Sequence, residues 1–372
     1  MATLRGEPVD RPAVNFYEVG GFKVDPADPD PFNVYNDPSW APLLDLAERE
    51  TDLIWMRGPA VTPAADNCMH EFANTENYTD GKSQYNRTTI RVGDKTLTSL
   101  TRRDPDVSTI WTIEHLLKGI DDLKAYLELP DSVFSLDIDV GCLHDEEHTI
   151  GDRGIVMVEI ADPLCLAASL FSMEDYTVVA LTEQALFHRL LEKLAPQVYK
   201  IAEEVSRGFP GHLWRIAGPE YATPPYLPPR LFDEYVVTYT KPVVDIIHKN
   251  GGYARLHCHG RIKDVLPCFA KMGADAIDPI EPPPQGDVTL SYVRREYGKD
   301  LVLFGNLEIS DLETMEPEKF SRVVAQALVE GTEGEGRGFV LMPSAAPYGR
   351  KLSAKVLQNY ETMIRLARSM FS

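Results

Sequence analysis

The sequence predicts an α/β fold, a (β/α)8 barrel of the TIM type with an insertion between its second and third strands. Three observations lead to this prediction. Eight short, apolar, β-prone runs are distributed along the 372 residues. The last five alternate with helical patterns, which is typical of a parallel sheet. No glycine-rich phosphate loop follows any of the eight, which counts against an open, doubly wound sheet.

The elements follow in chain order. The predicted strands are Ala13–Val19, Leu53–Met56, Gly154–Ile160, Gly211–Ile216, Gly252–Leu256, Asp275–Ile280, Leu301–Phe304 and Gly338–Met342. The helical patterns after the last five are Pro229–Lys249, Arg261–Met272, Val288–Tyr297, Pro317–Glu330 and Ser353–Phe371. A barrel of this kind takes roughly 250 residues, so the chain is long enough for a barrel and an insertion.

Most of the excess lies in residues 59–152, between the second and third strands. Within it, Thr88–Leu100 predicts a hairpin that turns at Gly93-Asp94. Two further stretches, Ile113–Glu128 and Asp131–Cys142, have helical patterns. We expect the whole chain to be a single barrel domain in which the insertion covers part of the barrel mouth, the end where the strands terminate.

The composition excludes some classes of function. The chain is 44% hydrophobic and 25% charged, and its formal net charge of −20 would repel nucleic-acid phosphates. No run of about 18 apolar residues predicts a transmembrane helix, and the polar stretch Met1–Asp10 lacks the apolar segment of a secretory signal. The five cysteines form no CxxC pair. We therefore expect a cytoplasmic protein that binds neither nucleic acid nor membranes.

The residues with the clearest chemical potential follow the fifth and sixth predicted strands. His257 and His259 are two residues apart, so on a strand their side chains point the same way. Asp278 and Glu281 end the next apolar run. Because active sites of such barrels lie at the carboxyl ends of the strands, we expect two imidazoles and a carboxylate to meet there.

Two kinds of chemistry fit this group. His257, His259 and Glu281 could hold a divalent metal ion, zinc being the expected one, and leave a position open to substrate. The alternative is a polar pocket lined by hydrogen-bonded histidines. His259, Glu281 and Asp278 are the candidate catalytic residues, because imidazole and carboxylate groups transfer protons near neutral pH.

Polar residues at other strand ends are candidates for substrate binding. They are Glu18, Glu220, Tyr221, Asn306 and Ser344. With Tyr17 and Tyr226 nearby, and few basic groups, the mouth would suit a neutral or cationic small molecule better than an anion. Two alternatives stay open: Glu220 is compatible with a surface turn shaped by prolines, and Asn306 with a side chain that satisfies the loop backbone.

Several motifs carry a resemblance to a known family. They are Leu4–Pro12, Gly151–Gly154, Asp162–Leu164, His257–Gly260, Gly305–Leu307 and Pro343–Ser344. Their pattern resembles the uroporphyrinogen decarboxylase superfamily, which includes decarboxylases and the corrinoid- and pterin-linked methyltransferases. The resemblance implies a (β/α)8 barrel, the fold that the strand count predicts independently.

The resemblance also separates two branches. True decarboxylases carry an arginine-rich motif after the first strand, where this chain has Tyr17–Gly21 without arginine. Methyltransferases that act on thiols have His-x-Cys-Gly after the fifth strand and a cysteine after the eighth. Here His259 replaces the first cysteine, and Pro343–Ala345 contains none. The remaining set of His257, His259 and Glu281 is harder and better suited to polarising an oxygen substrate.

The function that this resemblance implies is methyl transfer between a small O- or N-methylated compound, or a pterin, and a corrinoid (cobalamin) protein supplied in trans. One alternative is a decarboxylase-like lyase that acts on a carboxylated substrate, with Asp278 or Glu220 relaying the proton. Another is a non-catalytic barrel that binds a tetrapyrrole or corrinoid. A barrel fold alone does not choose among these.

Overall fold

The strands and helices below come from a computed structural model that describes residues 1–22, 24–25 and 27–371. The strands in these ranges are β1 Ala13–Val14, β2 Leu53–Arg57, β3 Ala60–Pro63, β4 Ala73–Asp80, β5 Ser83–Val92, β6 Lys95–Arg103, β7 Ile110–Glu114, β8 Leu136–Asp139, β9 Gly154–Ala161, β10 Leu213–Ala217, β11 Tyr253–His257, β12 Ala276–Asp278, β13 Val302–Leu307 and β14 Phe339–Pro343. The helices are α1 Ala2–Arg5, α2 Ala41–Glu50, α3 Met69–Phe72, α4 Ile120–Leu127, α5 Gly141–Ile150, α6 Pro163–Ala168, α7 Met173–Thr182, α8 Gln184–Gly208, α9 Pro229–Phe232, α10 Thr238–Lys249, α11 Leu266–Met272, α12 Leu290–Tyr297, α13 Ile309–Thr314, α14 Pro317–Thr332 and α15 Ala354–Ser369.

Eight strands form one parallel sheet in the order β1-β14-β13-β12-β11-β10-β9-β2. All eight match predicted strands, which confirms the TIM-type barrel class. The first strand is shorter than predicted, because the chain leaves the sheet after Val14 and forms a 3-10 turn over Tyr17–Val19. Tyr17 has a φ of 55°, a left-handed conformation that a non-glycine residue adopts only where its surroundings hold it.

Asp52 joins the two outer strands of this sheet. Its backbone N–H donates to the Val14 carbonyl at 2.8 Å, and the Val14 N–H donates to Asp52 Oδ2 at 2.8 Å. Arg11 Nη1 donates to the same carboxylate at 2.7 Å. The edges of β1 and β2 are therefore bridged rather than left open, and the curled sheet closes into a barrel.

Alternation along the strands separates two apolar layers. The inner layer fills the barrel and consists of Tyr17, Ile54, Met157, Leu213, Ala276, Val302, Phe304, Val340 and Met342, with Leu4 beneath them. The outer layer packs the opposite face of the strands against the helices. The 25-residue α8 contributes Phe187, Leu190, Leu191, Leu194 and Val198 to it, at the three- and four-residue spacing of one helix face. Each such buried side chain stabilises the fold by roughly 1.5–3 kcal/mol relative to exposure.

The insertion is only partly as predicted. The hairpin of β5 and β6 is confirmed, with Val92 opposite Lys95 across the glycine turn at Gly93. The prediction of helix over Ile113–Glu128 is wrong at its start, because Ile110–Glu114 is β7, and α4 begins at Ile120. The prediction over Asp131–Cys142 is also wrong. That stretch holds a 3-10 turn and β8, and its last two residues begin α5.

Partner strands explain both errors. β7 pairs with β6, and β8 pairs with β3. Both are short runs whose periodicity fits a helix or a strand, and pairing with a partner strand decides in favour of the strand.

The insertion contacts the loop after β14, where the Ser108 N–H donates to the Tyr348 carbonyl at 2.7 Å and the Arg350 N–H to the Asp106 carbonyl at 2.8 Å. None of the helices in the described ranges combines the length and apolar character needed to cross a bilayer.

We expect Asp52→Ala to lower the free energy of unfolding by about 1–3 kcal/mol, because it leaves the Arg11 guanidinium and the Val14 N–H without their acceptor. Urea denaturation measures the change. Asp45→Ala is the matched control, since Asp45 is exposed and pairs with the exposed Arg49 on the same helix; it should change stability by less than about 0.5 kcal/mol. Equal losses in both variants would refute the role of Asp52 in closing the barrel.

Candidate active site

His259 and Glu281 form a hydrogen-bonded pair at the barrel mouth. His259 follows β11 and Glu281 follows β12, and their atoms Nδ1 and Oε1 are 2.7 Å apart. The Gly260 N–H donates to the other carboxylate oxygen, Oε2, at 2.7 Å. The side chain of His259 is 37% exposed, whereas that of Glu281 is 10% exposed. The imidazole is therefore held from below and open to a ligand above.

The two groups set each other's charge. Burial alone would lower the pKa of His259, but the hydrogen bond and charge of Glu281 outweigh it, and the pKa is raised. Burial would raise the pKa of Glu281, but the hydrogen bond from His259 outweighs that effect, and the pKa is lowered. Near neutral pH this pair therefore favours an imidazolium and a carboxylate.

His257 lies deeper and has a different partner. Its Nδ1 is 2.8 Å from Oδ2 of Asp278, a carboxylate with no exposed surface. Arg255 donates to the same carboxylate from Nε at 2.7 Å and from Nη2 at 3.0 Å. The charge of Arg255 overcomes the effect of burial and holds the pKa of Asp278 well below its usual range. Burial lowers the pKa of His257 to about 3, despite the opposing charge of Asp278.

The pKa values of the two histidines are thus shifted in opposite directions although their ring centroids are 4.5 Å apart. Neutral His257 donates Nδ1–H to Asp278, which leaves Nε2 as an acceptor. When His259 is protonated, which its raised pKa favours, it donates Nδ1–H to Glu281 and keeps Nε2–H as a second donor. Titratable groups whose pKa values are pushed apart are the pattern of acid and base roles in active sites.

The three predicted metal ligands come together at the mouth but not as a ligand set. Both oxygens of Glu281 are engaged, one by His259 and one by the Gly260 N–H, so the carboxylate orients an imidazole instead of completing a coordination site. Across residues 1–22, 24–25 and 27–371, no three His, Cys, Asp or Glu side chains are arranged so as to hold a metal ion. This donor geometry does not fit the predicted ion, and the chemistry below uses none.

A cleft of about 470 Å³ opens in front of His259. Its walls come from the loops after β10, β11 and β12 and include Glu220, Tyr221, Tyr226, His259 and Glu281. The volume is within the range of small-molecule sites. Glu220 is held by the Gly218 N–H, which donates to its Oε2 at 3.0 Å, and burial raises its pKa.

The other predicted substrate residues lie elsewhere at the mouth. Asn306 and Ser344 are not among the residues that line the cleft, and Ser344 is only 2% exposed. Glu18 borders a small void inside the barrel with Tyr17 and Arg255. Burial raises the pKa of Glu18, and the charge of a nearby arginine, Arg215, opposes the rise.

The expectation that the mouth is poor in basic groups is wrong. Arg215 and Arg255 are paired neighbours on β10 and β11, and both side chains are buried inside the barrel. Arg215 donates to Glu159 and, from Nη2, to the Tyr17 hydroxyl at 2.6 Å. For Arg255 the sequence held the signal, because this residue lies two residues before His257 and therefore on the same face of its strand.

Comparisons with known proteins agree with this fold. The family model described as uroporphyrinogen decarboxylase (URO-D) matches residues 123–350. A methyltransferase from Methanosarcina mazei is 14% identical, with a TM-score of 0.61, over 100% of this chain and 97% of that chain. A B12-independent methionine synthase from Shewanella sp. W3-18-1, solved in complex with selenomethionine, is 10% identical, with a TM-score of 0.43, over 76% of this chain and 75% of that chain. A comparison with curated protein sequences gives no significant match. The likeness to the Methanosarcina enzyme shows a shared barrel fold.

We expect Asp278→Asn to lower the free energy of unfolding by about 3–5 kcal/mol, because the buried Arg255 charge loses its counter-ion. Denaturant titration measures the loss. Asp245→Asn removes an exposed carboxylate paired with Lys241 and is the matched control, with a change near zero. A comparable change in the two variants would contradict the role of Asp278.

We also expect the purified protein to carry well below one equivalent of zinc per chain, because Glu281 is committed to His259 and Gly260. Elemental analysis of the protein and of a His257→Ala variant checks this. One equivalent of a transition metal in the protein, lost in His257→Ala, would contradict the expectation and restore the predicted three-residue metal site.

Proposed function

The chain belongs to the uroporphyrinogen decarboxylase family, and on that premise we propose that it is a methyltransferase of a corrinoid-dependent system. The methyl group would move between a small O- or N-methylated compound, or a pterin, and a corrinoid protein. The observation that carries this proposal is the hydrogen-bonded His259–Glu281 pair on the wall of a cleft that is sized for a small molecule. Such a pair supplies what a demethylation needs from the protein.

The chemical requirement lies at the heteroatom that loses the methyl group. When the carbon–heteroatom bond breaks, the heteroatom keeps the bonding pair and must gain a proton or another positive partner. Nε2–H of His259 can donate that proton, and Glu281 keeps the imidazole charged until it does. Leaving groups that would depart as phenolate or alkoxide gain most from this donation, since their conjugate acids are weak.

The methyl acceptor would come from outside the barrel. A reduced corrinoid supplies the electron pair that takes the methyl group. A corrin ring is far larger than the cleft of about 470 Å³, so it would approach the opening on a partner protein instead of binding within this chain. A pterin is of the size that the cleft admits and stays within the proposal as a donor or acceptor.

A decarboxylase-like lyase is the second candidate. The two buried arginines support it, because arginine side chains bind carboxylate groups, and neither was expected at the mouth from the sequence. A carboxylated substrate needs a free cation, however. Arg255 is held in two hydrogen bonds by Asp278, and Arg215 is engaged by Glu159 and Tyr17. Both buried guanidinium groups are already paired, so binding a carboxylate would fall to the exposed Arg261 on the cleft wall, whereas the methyl-transfer proposal uses the His259–Glu281 pair as it stands.

The test incubates the protein with methyl ethers, methylamines and a methylated pterin, each with a reduced corrinoid, and follows methylcobalamin by its absorption. We expect methylation of the corrinoid with one donor class. The rate should fall about 100-fold or more in His259→Ala, because general acid catalysis is worth that much.

Glu281→Gln should move the alkaline limb of the rate profile to lower pH. Without the carboxylate charge, burial lowers the pKa of His259, so the acid form is lost earlier as pH rises.

Glu296→Gln is the control, since Glu296 pairs with Arg295 at the surface, and should leave the profile unchanged. An absence of methylcobalamin with every donor class would overturn the proposal. Carbon dioxide release from a carboxylated substrate would favour the lyase. Corrinoid binding without turnover, retained when His257, His259 and Glu281 are all replaced, would favour a binding protein.

A further inference from the structure

Glu308 is a buried carboxyl at the mouth that sequence inspection missed. It follows β13 directly and precedes α13, and it is only 5% exposed. The Ser344 hydroxyl, at the end of β14, donates to its Oε2 over a long 3.4 Å. Within the part of the chain that the structure describes, Oε1 has no hydrogen-bond partner. A buried oxygen without a hydrogen-bond partner destabilises the fold, so it needs a functional or solvent partner.

The neighbouring hydrogen bonds assign the position of a proton on this carboxyl. The Ile309 N–H donates to Ser344 Oγ at 3.0 Å, so the serine hydroxyl receives from the backbone and passes its own hydrogen to Oε2. Oε2 therefore acts as an acceptor. When Glu308 is protonated, its hydrogen belongs on Oε1, where it points at no acceptor in the protein.

The surrounding charges favour the protonated form. Burial raises the pKa of Glu308, the negative charges of Glu281 and Asp311 raise it further, and His259 and Ser344 act in the opposite direction. The net result is a pKa of about 7. Glu308 is thus the counterpart of Glu281, which lies after the adjacent strand and is held in its ionised form. A carboxylic acid kept neutral near pH 7 in this way can serve as a hydrogen-bond donor to a ligand.

We propose that Glu308 is a substrate-binding residue whose Oε1–H donates a hydrogen bond to the methylated heteroatom or to an acceptor next to it. This inference rests on the proposed function and narrows its substrate class. A hydrogen bond from Glu308 requires a lone pair, which a methyl ether or a neutral methylamine has and a quaternary methylammonium ion lacks. His259 donates from the loop after β11. Glu308 is not among the residues that line the cleft, but it lies near enough to Glu281 and His259 for their charges to act on it, so the mouth offers two donors to a neutral, lone-pair-bearing ligand.

The test measures binding of two probes, 2-methoxyphenol and tetramethylammonium, by calorimetry at about pH 6 and about pH 8.5, on either side of the Glu308 titration. For the native protein we expect 2-methoxyphenol to bind roughly tenfold more tightly at the lower pH, which is the value of one hydrogen bond of about 1.4 kcal/mol. Glu308→Gln keeps a donor at every pH, so it should lose most of this pH dependence, and the part that remains belongs to His259, whose pKa is also raised. Glu318→Gln, an exposed change on α14, should behave like the native protein.

Other outcomes overturn the inference. If Glu308→Gln keeps the full pH dependence of the native protein, the titrating donor is another group. If tetramethylammonium binds more tightly at the higher pH and loses affinity in Glu308→Gln, the residue acts as an anionic counter-charge. If neither probe binds at either pH, Glu308 is not a donor to such ligands. Because binding requires no turnover, these results are independent of whether methylcobalamin forms, and the two proposals can fail separately.

Discussion

The buried carboxylate of Asp278 is the constraint on which the rest of the site depends. It lies opposite His257 in the register of β11 and β12, and it holds both that imidazole and the guanidinium of Arg255. An ionised carboxylate without solvent is costly, and two hydrogen bonds from the Arg255 guanidinium and one from His257 offset that cost. The arrangement fixes the tautomer of His257 and keeps it neutral, so of the two histidines it is His259 whose pKa is shifted towards the charged form.

The opposite pKa shifts of His257 and His259 follow from the other partners of the carboxylates that they contact and from how deeply each imidazole is buried. Asp278 divides its charge between a permanent cation and an imidazole, and the imidazole is fully buried, so desolvation decides its state. Glu281 has a single ionisable partner, and that partner is partly exposed, so attraction decides instead. Spacing along one strand thus produces a proton acceptor and a proton donor side by side.

The sequence was sufficient to predict those elements whose local residue pattern matches their surroundings in the fold. Barrel strands buried on both faces are continuous apolar runs, and each could be located from one sequence. The convergence of His259 and Glu281 followed from strand order alone. The helix predicted over Asp131–Cys142 was wrong because β8 exists through its pairing with β3. Glu308 was missed because its significance is an oxygen without a partner, which no residue pattern encodes.

The acidity of the chain is a poor guide to the charge of its mouth. Three cationic groups there are matched by a carboxylate: Arg255 by Asp278, Arg215 by Glu159, and His259 by Glu281, while the exposed Arg261 lines the cleft. The remaining acids at the mouth have raised pKa values, chiefly because they are buried: Glu18, Glu220 and Glu308. An ion pair contributes no net charge. A carboxyl group with a raised pKa is less ionised at a given pH, so these acids give the mouth less negative charge than a count of them would suggest. A ligand therefore meets oriented donors and acceptors more than a field of one sign, which favours recognition by hydrogen bonds over recognition by charge.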